Sequence, residues 1–120
     1  MAEQSSPSVP GIRDDRAAGK LLAYVGGEAA GVIVYFVLEG TLPALVAVHT
    51  VVERGHEGKG IGGSLVGEFY VLAAREGVPV VPLCRYAATW ASRHPGQAPE
   101  APAELVERAT RELALRPGLY

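Results

Sequence analysis

Glu53-Arg54-Gly55-His56-Glu57-Gly58-Lys59-Gly60-Ile61-Gly62-Gly63-Ser64 decides how this chain is read. Glycine recurs too often from Gly55 to Gly60 for a helix or strand, so the run is a loop. Before it, Leu42 to Val52 is apolar and β-branched and predicts a strand. After it, Leu65, Val66, Phe69, Leu72 and Ala73 recur at helical spacing from Ile61 to Glu76, with Gly77 as the stop. Gly58, Gly60, Gly62 and Gly63 therefore sit between a strand and a helix. There, missing side chains let backbone N–H groups and the positive end of the helix dipole approach an anion, and a phosphate is the natural guest. The plainer alternative is a flexible loop that uses glycine only to turn.

Two phosphate-binding motifs fail on this stretch. A P-loop needs Gly-Lys followed by Ser or Thr, whereas Gly58-Lys59 is followed by Gly60 and Glu53 stands where the first glycine belongs. Gly58-x-Gly60-x-x-Gly63 matches the dinucleotide fingerprint, but that motif needs a ribose-binding acid about 20 residues on. No acidic residue lies between Glu76 and Glu100, and so short a chain has no room for a six-stranded parallel sheet.

Working outward, Leu21–Val25 and Gly31–Leu38 read as strands joined at Gly26-Gly27, a β-hairpin turn, and Leu38-Glu39-Gly40 turns into the third strand. The chain thus opens as an antiparallel meander. Beyond the helix, Val78 to Leu83 is apolar but twice broken by proline, which suits a strand at a sheet edge or one that splays from its neighbour. Tyr86 to Arg93 predicts a short helix ending before His94-Pro95. Gln97 to Pro102 reads as a linker, and Ala103 to Leu115 as an appended helix with Leu105, Ala109 and Leu113 on one stripe. The fold class is α/β (α+β), with a flexible arm over residues 1–11, a domain over 12–96, and a linker and helix over 97–120.

Composition narrows the function. With 120 residues, 48% of them hydrophobic, the chain makes one small domain. A net charge of −2 offers no basic surface for nucleic acid, and no apolar run approaches the roughly 20 residues that cross a bilayer. Met1 to Gly11 lacks the features of a secretory signal, which leads us to expect a cytoplasmic protein. The single cysteine, Cys84, and the histidines His49, His56 and His94 show no metal-ligand spacing, so no metal is expected.

Glu57-Gly58-Lys59-Gly60-Ile61-Gly62 resembles the acyl-CoA pyrophosphate loop of the GNAT superfamily of N-acetyltransferases, Arg/Gln-x-x-Gly-x-Gly/Ala, except at its first position. Together with His49-Thr50, Val80-Val81-Pro82-Leu83-Cys84 and Arg93-His94-Pro95 in the same order, it is similar to the small YjdJ-like subfamily from about Leu21 to Pro95. The resemblance implies a compact GNAT fold in which the strand ending at Val51-Val52 splays from Val78–Leu83 and holds pantetheine between them. It also implies that backbone groups of Thr50, Val51 and Val52 bond the pantetheine, that the amides of Glu57, Gly58, Lys59, Gly60, Ile61, Gly62 and Gly63 hold the pyrophosphate, and that Lys59 adds a charge. The chain departs from the subfamily at Val51, where a Glu is usual, and at Arg85-Tyr86, where Pro-Phe is usual.

The function so implied is acetyl-CoA-dependent transfer of an acetyl group to an amine, either a small amine or a protein lysine. Such a reaction needs a base for the ammonium proton and an acid for the departing thiolate. Cys84, after the splayed strand, could donate that proton or take the acetyl group covalently, or be a small buried hydrophobe. His49 could be the base, imidazole being the side-chain type suited to proton transfer near neutrality, or a structural histidine bonded to a neighbouring strand. Tyr86 and Trp90 share a face of the short helix and could line the cofactor or acceptor pocket, or belong to the core. Ser64 could contact a phosphate, cap the helix, or do both. The other readings are a non-catalytic acyl-CoA-binding or regulatory module, and a protein-interaction domain built on the last helix. That helix could cover its own sheet or a second copy, so monomer and homodimer both stay open.

Overall fold

The computed structural model describes residues 11–119, so residues 1–10 of the expected arm lie outside the described residues. Gly11 already opens a strand, β1 (Gly11–Asp15), which the sequence reading did not expect. A 3-10 turn (Arg16–Ala18) follows, then β2 (Lys20–Val25), β3 (Glu28–Leu38), β4 (Ala44–Val52), α1 (Ile61–Glu76), β5 (Val80–Pro82), α2 (Arg85–Arg93) and α3 (Ala103–Ala114). The sheet runs β1-β2-β3-β4-β5, antiparallel through β4, with β5 parallel to β4 at the edge.

The meander forms as the glycines require. Gly26 and Gly27 take φ of 58° and 81°, the paired positive angles of a tight hairpin that only glycine adopts freely. The third strand begins at Ala44 rather than Leu42, because Pro43 lacks an N–H for the ladder. β5 is shorter than expected, Val80–Pro82, and flanking prolines confine it to an edge.

Both faces of the sheet are covered. On one, Ile33, Tyr35, Leu45 and Ala47 pack against Ile61, Leu65 and Phe69 of α1. On the other, Phe36, Val46, Val48 and Val81 pack against Leu105 and Ala109 of α3. The last helix is therefore not an appendage. Its apolar stripe closes a second core, and Ala98, in the expected linker, is buried in the first. Arg108 pins α3 in place by donating to the carbonyls of Glu39 and Leu42 in the β3–β4 turn.

Candidate functional site

The site starts from one extra residue in β4. Tyr35 pairs with Ala47 but Val34 pairs with His49, so Val48 is a bulge. A bulge reverses the alternation of the strand after it. The Glu53 N–H donates to the Ala30 carbonyl, and with 51 facing Val32 and 49 facing Val34 this makes Val51 and His49 the residues hydrogen-bonded to β3. The peptide groups of Thr50 and Val52 are consequently turned to the opposite, open edge. Val51 was expected beside them, but its backbone is turned to β3 and its side chain is 47% exposed.

On that open edge β5 has already left. The Ala47 carbonyl accepts both the Leu83 and Cys84 N–H groups, at 3.0 and 3.2 Å, and these are the last backbone bonds joining the two strands. Past them β4 continues to Val52 while the chain after β5 turns into α2, which leaves a wedge between the strands. The apex is bridged by side chains, with Thr50 Oγ1 3.3 Å from Cys84 Sγ. Cys84 is the N-cap of α2, and its sulfur accepts the Ala87 N–H at 3.3 Å. Tyr70 of α1, which the sequence reading did not single out, is pushed up to about 12, first by burial and then by proximity to Cys84. It stays a protonated hydroxyl at any ordinary pH.

The glycine loop ends beside this wedge. Gly60 is the N-cap of α1 with φ 79° and no side chain to close the helix end, so the first-turn amides of Ile61, Gly62 and Gly63 lack a side-chain cap. A Cβ at Gly60 would meet nothing within 4 Å, which means the space over this helix end is open. Uncapped amides under open space fit a pyrophosphate. Glu57, Gly58 and Lys59 are exposed in the loop, whereas the Ile61 side chain is buried in the core and can offer only its N–H. His56 ties the loop to the β2–β3 turn, its Nε2 3.0 Å from Glu28 Oε1. Ser64 does not cap the helix. It is exposed one turn in, on a flank shared with Gly67, Glu68 and Trp90.

Tyr86 joins the two halves. A Cβ on Gly62 would lie 2.5 Å from Tyr86 Oη and 2.7 Å from its Cζ, so the tyrosine ring lies directly on the start of α1. His49, by contrast, stands apart from Cys84. It pairs with Val34, on the α3 side of the sheet, while Thr50 pairs with Ile33 on the α1 side. It is exposed, and histidine and cysteine lie on opposite faces of the sheet. Among the described residues no three His, Cys, Asp or Glu side chains cluster as metal ligands would, and no helix is long and apolar enough to cross a membrane.

A family model described as GCN5-related N-acetyl-transferase matches residues 20–100. No curated protein matches the sequence. Among solved structures, the ribosomal-protein-alanine N-acetyltransferase from Brucella melitensis biovar Abortus 2308 is similar at 27% identity and a TM-score of 0.54, over 73% of this chain and 67% of that one. An aminoglycoside acetyltransferase from an uncultured soil metagenomic sample, in complex with sisomicin, is similar at 20% identity and a TM-score of 0.54, over 70% of this chain and 60% of that one. The second likeness shows the shared fold.

Proposed function

The chain belongs to the GCN5-related N-acetyltransferase family, and from that premise we propose that it transfers the acetyl group of acetyl-CoA to an amine. The observation that carries the proposal is the wedge between β4 and β5, which has Cys84 and Thr50 at its apex and an uncapped helix end at its mouth. We place the chain in the YjdJ-like branch on the strength of His49-Thr50, the Glu57–Gly62 loop, Val80–Cys84 and Arg93-His94-Pro95.

Acetyl-CoA, when bound, supplies an acetyl group activated as a thioester. The amides of Ile61, Gly62 and Gly63 and the dipole of α1 hold its pyrophosphate, and Lys59 adds a positive charge. Thr50 and Val52 offer the pantetheine amides the backbone bonds that a neighbouring strand would otherwise make. His49 takes the proton that the acceptor ammonium must lose before its nitrogen can form the new C–N bond. Cys84, fixed by Thr50 and the Ala87 N–H, either returns a proton to the departing sulfur or, as thiolate, carries the acetyl group before the amine takes it. The similar structures act, by their names, on a ribosomal-protein alanine and on aminoglycosides. For this chain the acceptor class is a small primary amine or a protein lysine.

The test is release of free thiol from acetyl-CoA across a panel of amines, with Cys84→Ala and His49→Ala alongside. Either substitution is expected to lower kcat by about a hundredfold or more at unchanged CoA affinity, the usual scale for losing a proton-transfer group. Saturable CoA binding with no thiol released by any acceptor would instead support a non-catalytic acyl-CoA-binding module.

A further inference from the structure

One side of α2 carries a groove of about 360 Å³ lined by Arg85, Tyr86, Thr89, Trp90, Arg93 and His94. Resting on the CoA reading above, we propose that this groove holds the adenosine 3′-phosphate of the cofactor, with Arg85 and Arg93 on the phosphate monoester and the aromatic rings beside the base.

Several observations support this occupant. Tyr86 lies on Gly62, so the groove starts one side chain away from the amides that fit the pyrophosphate. From Tyr86 to Arg93 the helix rises about 10 Å at 1.5 Å per residue, enough for a nucleoside to extend along it. The rings are held in place. Trp90 stacks on His94 at 4.0 Å between centroids and on Tyr70 at 5.9 Å, and His94 Nδ1 donates to the Trp90 carbonyl at 2.8 Å. Tyr86 remains 47% exposed, which leaves an aromatic surface open to a base.

The charges point the same way. Arg85 occupies the first turn of α2, where the helix dipole disfavours a cation and where no acidic residue balances it. Neither Arg85 nor Arg93 makes a salt bridge or side-chain hydrogen bond among the described residues, and both are exposed at the rim of the groove. Two uncommitted guanidinium groups beside aromatic surface suit a phosphate carried on a ring system. No carboxylate lines the groove to compete with it.

Calorimetric titration of the full chain with CoA and with 3′-dephospho-CoA tests the assignment, because the two ligands differ only in that phosphate. CoA is expected to bind roughly tenfold tighter, a ratio that narrows as salt is added. In the Arg85→Gln/Arg93→Gln double variant the two affinities should converge to within about twofold, with dephospho-CoA bound as by the wild type. Both arginines are exposed, so the melting temperature should not move. Equal affinities in the wild type, or a ratio that survives the double substitution, would overturn this proposal and leave the cofactor reading standing. No binding of either ligand would overturn both.

Discussion

At Cys84 the protein places a thiol where two strands part, and it fixes that thiol with one bond from each side of the wedge, Thr50 and the Ala87 N–H. Tyr70, a largely buried side chain, stands near it, and Tyr35, on the same face, is likewise pushed up to about 12 by burial and by its bond to Asp14. Both phenols prefer their neutral form in the folded chain, whereas in the unfolded chain they ionise near pH 10. The folded state therefore binds more protons between pH 10 and 12, and stability should be unaffected by these groups below pH 10 and fall across that window. Urea unfolding at pH 9, 10.5 and 11.5 checks this, and Tyr70→Phe should flatten part of the slope. Cys84 was legible in the sequence because it follows a proline-broken strand. Its neighbour Tyr70 was not, since an aromatic residue on the apolar face of a helix gives no sign of what it faces across the core.

Among the elements, the contact between α1 and α2 sets the geometry of the mouth. Gly62 lets the Tyr86 ring rest against the helix there, because a Cβ would push the far end of that half-exposed ring aside. Gly62→Ala should cost no more than about 1 kcal/mol, because the half-exposed ring can swing aside and alanine favours a helix over glycine. Most of that cost should vanish in a Tyr86→Ala background, as thermal melts of the four combinations would show. The hairpin, the glycine loop and α1 could be read from sequence because each has a local signal: Gly26-Gly27, the glycine run, and a helical stripe that ends at Gly77. β1 could not. Gly11-Ile12-Arg13-Asp14-Asp15 has one apolar side chain, and the strand exists through backbone pairing with β2 while its charges protect the exposed edge. The Val48 bulge was equally hidden, since Leu45-Val46-Ala47-Val48 is apolar throughout and shows no break in period. That hidden residue is what turns Thr50 and Val52, and not Val51, to the wedge.

Over the whole molecule, the β4–β5 wedge depends on a sheet clamped from both sides. The stripe Leu105-Ala109-Leu113 was visible in the sequence, but its target was not, because Phe36, Val46, Val48 and Val81 form the second apolar face only once the sheet is assembled. Leu105→Ala should lower stability by about 2–4 kcal/mol, as a core truncation does, and leave CoA affinity unchanged at temperatures where the variant is folded. Thermal melts and calorimetry on one preparation separate the two effects. We read the uncapped end of α1 and the β4–β5 wedge as one acetyl-CoA site. Its most direct test is calorimetric titration of the wild type and Gly60→Glu with acetyl-CoA. Gly60 borders open space, so a glutamate there meets no neighbouring atom, carries the backbone strain of a φ of 79°, and places a carboxylate where the pyrophosphate would lie. Saturable binding by the wild type, weakened at least about a hundredfold in the folded variant by like-charge repulsion and a blocked cradle, is the predicted result. No binding by the wild type, or equal binding by Gly60→Glu, would contradict it.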